Sequence, residues 1–207
     1  MTRHLSPQER RTQILQAARD CFAERGYAVT RVEEIAKAAG LSKGGLYVHF
    51  ASKEAIFDAL HDEEVARAGE ALAVIRALPL PAREKLGALA AGIVARYVSS
   101  EQHRRFLLVL GEVGLSTPSV QAKVRATHGM FVAAITEMVE EGVASGEFRP
   151  VDPRHAALLL KVLSDGIEGA IALGYEMDTA AFLQEAVDIL LHGLASRTSA
   201  PAASPRS

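Results

Sequence analysis

Four side chains between residues 43 and 53 are of types that bind the phosphates and bases of a nucleic acid. Lys43 and Tyr47 are four residues apart, so on a helix they share one face. A lysine ammonium can bond a phosphate or a base edge, and a tyrosine hydroxyl can donate to a phosphate. His49 and Lys53 follow at the end of this stretch, where they suit the sugar-phosphate backbone. The set predicts contact with double-stranded DNA.

Two glycines and a threonine add to this interpretation. Gly44 and Gly45 follow Lys43 directly and remove side chains from one helical turn, which lets the backbone approach DNA closely. Thr30 begins a capping box that ends at Glu33, so we expect it to cap another short helix. The free amides of that helix, together with the threonine hydroxyl, can donate to a phosphate of the other strand.

The elements that must position these residues have the spacing of a helix-turn-helix between about Thr30 and Phe50. Ala36 is small where two helices would cross closely, and Gly40 follows four residues later, where the turn needs a left-handed backbone. Ser42 can cap the second helix. Apolar residues occupy the positions where the two helices would bury each other: Ile35, Ala39, Leu41 and Leu46.

The charge distribution agrees with a DNA-binding N-terminal segment. Residues 1–53 carry nine Lys and Arg against five Asp and Glu, a balance of +4, within a chain of net charge −2. The remainder therefore has a balance of −6. A basic segment joined to an acidic body is the asymmetry expected when a DNA-binding module is fused to a part with another role.

These motifs resemble the DNA-binding domain of TetR/AcrR-type regulators from about Arg10 to Leu60. The resemblance rests on three stretches, residues 24–30, 35–50 and 52–57, and its most specific part is Leu46-Tyr-Val-His-Phe50 followed by Ser52-Lys-Glu54. It implies that Tyr47, His49 and Lys53 contact DNA and that Thr30 contacts phosphate.

One position departs from that family. Residue 45 is commonly Thr or Ser there and is Gly here, so a side-chain contact is lost. Base recognition would then depend more on Lys43, Tyr47 and the preceding helix. The residues predicted to contact DNA are Thr30, Arg31, Val32, Lys43, Gly44, Gly45, Tyr47, His49 and Lys53.

Helix start and stop signals recur along the whole chain, and sustained strand alternation is absent. The sequence predicts an all-α protein of about nine helices, the last at 179–195. We expect a three-helix DNA-binding domain at 1–53, a helical effector-binding and dimerisation domain at 54–195, and a disordered tail at 196–207, which is small, polar and contains proline.

Other function classes find little support in the residues. The single cysteine, Cys21, rules out an internal disulfide and fits a cytoplasmic protein. The first residues lack the apolar run of a signal peptide, and no apolar stretch is long enough for a membrane span. The histidines beyond residue 60 have neither His nor Cys partners at metal-binding spacing, and no serine stands in a nucleophile context. We expect no catalytic site, metal or cofactor.

The helices beyond residue 150 have apolar faces that the family resemblance assigns to a homodimer interface. Two short recognition helices related by a twofold axis would read a palindromic operator with half-sites ~34–36 Å apart or a multiple of that. Lys161, Asp165 and Glu168 lie on the opposite face, which we interpret as solvated. The predicted interface residues are Leu159, Leu163, Gly166, Ile167, Ala170, Phe182, Ala186, Ile189 and Leu190.

The resemblance also implies a pocket for a small-molecule effector among the middle helices. Because the candidates are mostly apolar, a small and fairly hydrophobic effector is favoured. The candidates are Tyr97, Phe106, Leu107, Leu110, Met130, Phe131, Ile135 and Tyr175.

The leading hypothesis is a ligand-responsive transcriptional regulator, most simply a repressor that its effector releases from DNA. One alternative is a ligand-independent or architectural DNA-binding protein, and another is a helical small-molecule-binding protein or enzyme without a role on DNA. Several Lys or Arg contacts to phosphates would make DNA binding fall steeply with salt, which the last alternative does not predict.

Overall fold

The computed structural model describes residues 5–98 and 100–175, together with 178, 181–182, 184–186 and 188–189. Within these residues there is no β-strand, so the predicted all-α class is confirmed. The ninth predicted helix, 179–195, lies largely outside the described residues. The helices are α1 (Pro7–Arg25), α2 (Val32–Ala38), α3 (Lys43–Tyr47), α4 (Lys53–Ala77), α5 (Ala82–Val98), α6 (Glu101–Ser116), α7 (Pro118–Ala144) and α8 (Pro153–Ala172).

The first helix begins and ends where its sequence signals predict. Ser6 Oγ accepts from the Glu9 amide, and Glu9 accepts in return from the Ser6 amide at 2.8 Å, which is a complete capping box. Pro7 occupies the first turn, where its missing N–H costs nothing. Gly26 follows the last residue at φ +82°, a backbone conformation that favours glycine.

Arg31 rather than Thr30 precedes α2. The prediction that Thr30 caps this helix is wrong, because Glu34 accepts from the Arg31 amide at 2.8 Å and Thr30 turns its side chain inward. Ser42 does cap α3, since its Oγ accepts from the Gly45 amide at 3.1 Å. The start of α3 is therefore confirmed.

The chain forms two compact units whose borders run through three helices. The first comprises Met1–Ala71 and Ala95–Met130, and the second comprises Leu72–Val94 and Phe131–Ser207. The predicted functional boundary between residues 53 and 54 stays a prediction, because compactness alone does not assign a role to either side of it.

The core of the first unit is built from one face each of α1, α4 and α6, with the buried residues of α2 and α3. Aromatic rings meet edge to face within it: Phe22 lies 5.8 Å from Phe57, and Tyr27 lies 4.8 Å from Phe57, between ring centroids. The most deeply buried members are Ile14, Ala18, Phe22, Ile35, Leu46, Ile56, Phe57, Leu60 and Phe106.

A buried ion cluster fastens four helices of this unit. Glu64 on α4 is buried and accepts from Arg19 of α1, from Arg67 one turn away at 2.9 Å and from Arg96 of α5 at 2.6 Å. His103 Nε2 of α6 lies 3.8 Å from the same carboxylate. Burial alone would raise the pKa of Glu64, but the hydrogen bond and charge of Arg19 and the charges of His103 and Arg96 hold that pKa below its usual value.

In the second unit, α5 and α7 are held together at their ends. The Glu147 carboxylate accepts from the amides of Ala82 and Arg83 at 3.0 and 3.2 Å, which caps the start of α5. The Phe148 ring packs directly over Gly142 of α7, so closely that a Cβ at residue 142 would overlap it. The Phe148 amide also donates to the Gly142 carbonyl at 2.9 Å.

Lys161 corrects one prediction about α8. We expected its face to be solvated, yet Lys161 is buried, with its ammonium paired to Asp165 and 5.6 Å from the centroid of the Phe131 ring. The aliphatic stem and the aromatic face let a lysine lie inside while its charge is compensated. In the single chain the apolar face of α8 is instead the exposed one.

Candidate nucleic-acid interface

The predicted helix-turn-helix forms between α2 and α3. Gly40 supplies the left-handed backbone of the turn at φ +64°, and the Leu41 amide donates to the Ala36 carbonyl at 2.8 Å. Ala36 is almost fully buried, as a close helix crossing requires. Leu46 of α3 is fully buried beneath the crossing and fixes the roll of that helix. The opposite face of α3 is consequently turned outward.

Lys43 and Tyr47 lie on that outward face. Lys43 is about half exposed, at 54% of its side chain, and its Nζ lies 6.0 Å from the centroid of the Tyr47 ring. The ammonium is paired with Glu33 of α2 at 2.5 Å. The hydrogen bond and charge of Glu33 raise the pKa of Lys43, and the hydrogen bond from Lys43 lowers the pKa of Glu33. Both groups therefore remain charged at neutral pH.

The two glycines of α3 differ in what surrounds them. A Cβ at Gly44 would have 4.0 Å to its nearest neighbour, Ser42 Oγ, whereas a Cβ at Gly45 would lie 3.3 Å from that atom and 3.8 Å from Leu41. Gly44 is exposed and Gly45 half-buried. Gly44 therefore gives the open surface on α3, while a side chain at 45 would first meet the capping serine.

Thr30 is buried, and its hydroxyl serves the fold. Its Oγ1 donates to the carbonyl of Gly26 at 2.7 Å and lies 3.2 Å from that of Cys21. The expectation that this hydroxyl contacts phosphate does not fit the structure, because Thr30 ties the loop before α2 to the end of α1. A backbone carbonyl that accepts from a buried hydroxyl satisfies it as well as a phosphate oxygen would.

Lys53 is likewise directed into the protein. Its Nζ donates to the carbonyls of Tyr27 at 2.8 Å and Thr30 at 3.0 Å and lies 4.3 Å from the centroid of the Tyr27 ring. The ammonium thus joins the start of α4 to the loop between α1 and α2. Its predicted contact with the DNA backbone stays a prediction, and its role in this structure is to hold the loop before α2 against the start of α4.

The remaining predicted contacts lie around the same surface. Arg31 is exposed, His49 is half-buried, and Val32 packs partly against the core, which limits what its side chain can reach. Val48, which the sequence analysis did not select, is 81% exposed directly after Tyr47. Its position beside two selected residues at the end of α3 was the signal that could have identified it.

The predicted effector residues fall in both compact units. Phe106 and Leu110 are buried in the core of the first unit, Leu107 packs against it, and Met130 Sδ would lie 3.8 Å from a Cβ at Gly69. In the second unit Ile135 is buried and Phe131 half-buried.

Two of the predicted effector residues stand apart. Tyr175 is 65% exposed, because it follows the turn after α8 in which Gly174 has φ +74°, so its expected place in a pocket is not seen. The side chain of Tyr97 lies outside the described residues.

Most of the predicted dimer residues are open to solvent in the single chain. On α8, Leu159 is 57% exposed, Leu163 and Gly166 are also exposed, and Ile167 and Ala170 are half-buried. Val162, three residues from Leu159 and so on the same face, is exposed too and was missed. Among the later residues Phe182 and Ile189 are exposed and Ala186 is half-buried, while Leu190 lies outside the described residues.

In the part of the chain that the structure describes, no three His, Cys, Asp or Glu side chains come together as a metal-binding group. None of the described helices combines the length and the hydropathy that crossing a bilayer would need.

Two family models match the chain. Residues 14–60 match the model described as bacterial regulatory proteins of the tetR family, and residues 79–165 match the tetracyclin repressor-like C-terminal domain. The first contains the whole helix-turn-helix and the start of α4, and the two together cover well over half of the chain.

Individual relatives agree with these models. The chain is 29% identical over 167 residues to the transcriptional regulator UidR of Escherichia coli K12, covering 80% of this chain and 81% of UidR. Over 64 residues it is 44% identical to the transcriptional repressor AcnR of Corynebacterium diphtheriae, covering 31% of this chain and 34% of AcnR.

Among solved structures, FadR of Bacillus subtilis in complex with stearoyl-CoA superimposes with a TM-score of 0.77 at 23% identity, covering 88% of this chain and 98% of FadR, which shows a common fold. With the outward face of α3, the two family models and these relatives all in agreement, the chain belongs to the TetR family of transcriptional regulators.

Proposed function

We propose that this protein is a cytoplasmic, homodimeric repressor that binds a palindromic operator through α3 and is released by a small, mostly apolar effector. The observation that supports it most directly is the outward face of α3, where Lys43, Gly44 and Tyr47 are exposed while Leu46 is buried beneath them. A buried anchor under an exposed basic and aromatic face is what a helix needs to enter the major groove.

The small size of the outward face of α3 is one reason to propose a dimer. A helix of five residues reaches only a few base pairs, so a second copy is needed to specify a useful site. The exposed apolar face of α8, with Leu159, Val162 and Leu163, supplies a surface that a second copy would cover. The pairing of two such faces would place two α3 helices on one operator.

The effector proposal rests on the apolar middle helices and on the relatives. FadR of Bacillus subtilis was solved with stearoyl-CoA, and a regulator from Saccharomonospora viridis with 22% identity and a TM-score of 0.82 was solved with choline. Those two ligands differ in polarity. The mostly apolar types of the predicted effector residues favour the more apolar type for this chain.

The test of DNA binding is its salt dependence on the intergenic DNA upstream of the protein's own gene. Several Lys and Arg contacts to phosphates per dimer demand a steep linear fall of log affinity with log salt. Fluorescence anisotropy at a series of salt concentrations measures the slope for the wild type and for Lys43→Ala. We expect a steep slope for the wild type and weaker or less selective binding for the variant. A flat slope, or unchanged binding by Lys43→Ala at moderate salt, would contradict the proposal.

The effector is tested on the protein–DNA complex with stearoyl-CoA, whose acyl chain is the apolar probe, with free coenzyme A as the control for its charged head and choline as the polar comparison. An effector that lowers operator affinity by a given factor must itself bind the DNA-bound protein more weakly by the same factor. We expect stearoyl-CoA, and not choline, to release DNA and to show this reciprocity. Release by choline alone would contradict an apolar effector while leaving DNA binding intact.

A further inference from the structure

An acidic residue stands next to the lysine on the proposed DNA-reading face. Glu33 is the second residue of α2 and Lys43 the first residue of α3, and their side chains form an ion pair across the two helices at 2.5 Å. The Glu33 side chain is 53% exposed and that of Lys43 is 54% exposed. The carboxylate is therefore presented to the solvent, and to any DNA, together with the ammonium.

The Glu33–Lys43 ion pair contributes little to the stability of the fold, because both side chains are exposed and exposed ion pairs stabilise weakly. Near DNA the carboxylate repels phosphates and partly neutralises Lys43, so it lowers affinity for DNA of any sequence. Glu33 also borders an open groove of about 620 Å³ that it shares with Val29, Arg31 and Glu34, so its carboxylate has free space beside it.

The chemistry of base edges gives this carboxylate a use. In the major groove a carboxylate accepts from the N4 amino group of cytosine, which presents a donor alone, whereas adenine presents its N6 donor beside the N7 acceptor, whose lone pair repels a carboxylate. A guanine presents O6 and N7, which accept from lysine. We propose that Glu33 is a specificity-determining residue, which accepts from a cytosine amino group of the operator while Lys43 bonds a neighbouring guanine.

The surroundings of Glu33 keep it suited to that role. The hydrogen bond from Lys43 holds the pKa of Glu33 below its usual value, so the carboxylate is an acceptor throughout the neutral range. The pair also restrains two otherwise long side chains to a common position. Because both side chains are restrained before binding, they lose less conformational entropy when they contact the bases.

The inference rests on the proposed DNA site and is tested by selecting binding sequences from a library of random duplexes. The full-length wild type, Glu33→Ala, Glu33→Gln and the control Glu24→Ala are compared. Glu24 carries the same charge on an exposed position of α1, away from Lys43. We expect Glu33→Ala to lose the preference for cytosine at one position of each half-site by about tenfold, the size of one good base contact, while binding random DNA more tightly. Glu33→Gln should shift that position towards adenine, which glutamine recognises.

The possible outcomes distinguish a failure of this inference from a failure of the proposed function in DNA binding. If the wild type enriches a sequence and Glu33→Ala enriches the same one with equal stringency, Glu33 is no specificity determinant. The same holds if Glu33→Ala and Glu24→Ala change all positions uniformly, because that is a charge effect alone. If the wild type enriches no sequence, the proposed function fails and takes this inference with it. Thermal melting of each variant checks that the folds are equivalent, and Glu33→Gln keeps the side-chain size should Glu33→Ala prove unstable.

Discussion

At the scale of single residues, the ammonium of Lys53 links the start of α4 to the loop after α1. Replacing it by methionine keeps the aliphatic stem and removes the donor to Tyr27 and Thr30. We expect the free energy of unfolding to fall by about 1–3 kcal/mol, because hydrogen bonds to charged groups are stronger than neutral ones and three carbonyls, with that of Ala28, lose this donor. Urea denaturation measures the change.

The control for Lys53 is Lys37→Met, an exposed lysine on α2 of the same segment. Because Lys53 positions α2 and α3, its methionine variant should also bind DNA less well even at low salt. If Lys53→Met is as stable as Lys37→Met and only weakens DNA binding with a flatter salt dependence, then Lys53 acts on phosphate and not on the fold.

Tyr27 gives the first unit a dependence on alkaline pH. Burial, followed by the charge of Glu54 and the hydrogen bond that its carboxylate accepts at 3.2 Å, raises the pKa of Tyr27 to about 12 from an ordinary value of 10.0. Since the folded state holds this proton more tightly than the unfolded chain, the resulting stabilisation is complete below pH 10 and is lost between pH 10 and 12.

Ultraviolet titration of the phenolates, with Tyr27→Phe for comparison, tests this shift. The chain has four tyrosines, and the substitution should remove one phenolate's amplitude near pH 12. The melting temperature of the wild type should also fall more between pH 10 and 12 than that of the variant. Loss of amplitude near pH 10 instead would mean that the phenol of Tyr27 is not held by Glu54.

Residue roles were the hardest part to predict from the sequence. The types and spacing of Lys43 and Tyr47 were sufficient to predict that both are exposed on one face of α3, because Leu46 between them is buried. Their contact with DNA stays a prediction. Thr30 and Lys161 were misjudged for a common reason. A polar side chain that bonds carbonyls or a carboxylate inside the protein has the same local sequence as one that faces water. Only partners in other helices, such as Cys21 of α1 and Phe131 of α7, distinguish the two.

At the scale of elements, alanine substitutions at two glycines of α7 should have opposite effects on the free energy of unfolding. A Cβ at Gly142 would overlap the Phe148 ring and lie 3.0 Å from Ala82, whereas a Cβ at Gly129 meets nothing within 4 Å. We expect Gly142→Ala to lower the free energy of unfolding by about 1–3 kcal/mol through overpacking. Gly129→Ala should raise it by up to about 1 kcal/mol, since alanine is the better helix former.

The two glycine variants are compared by urea denaturation of otherwise identical chains. Each serves as the control for the other, because both make the same chemical change within α7. Equal effects of the two substitutions would show that helix propensity alone decides, and that Phe148 can move away from residue 142 without loss.

Helix boundaries were predictable wherever a local signal sets them. Ser6 with Glu9, Gly26 and Ser42 act through bonds within a few residues, so the sequence contains the whole cause. The cap of α5 could not be predicted, because it comes from Glu147, 65 residues away along the chain from Ala82. The inward-facing Lys161 shows the same limit for the orientation of α8.

At the scale of the whole molecule, the exposed face of α8 should decide the oligomeric state. Leu159→Lys places a charge in the proposed interface, where it would be buried against the second copy without a partner. We expect a monomer at concentrations where the wild type is a dimer, measured by analytical ultracentrifugation. Loss of operator binding should accompany it, because one α3 alone reads too few base pairs.

The control for the dimer is Leu115→Lys on α6, since Leu115 is even more exposed at 83% and lies outside the predicted interface. It should leave the dimer intact. A dimeric Leu159→Lys variant, or a monomeric Leu115→Lys variant, would place the interface elsewhere on the surface.

The composition of the recognition helix α3 predicts how often this helix opens. An α-helix of five residues of which two are glycine is weak by itself, because each glycine is about 1 kcal/mol less favourable than alanine in a helix interior. The Ser42 cap and the burial of Leu46 hold it, so α3 should open locally far more often than α1, and its amides should exchange hydrogen for deuterium first. DNA would slow that exchange, and Gly44→Ala, which has space for its methyl group, should slow it even without DNA. An α3 helix that is locally open must then refold when the operator binds, so the folding of α3 is part of the binding step.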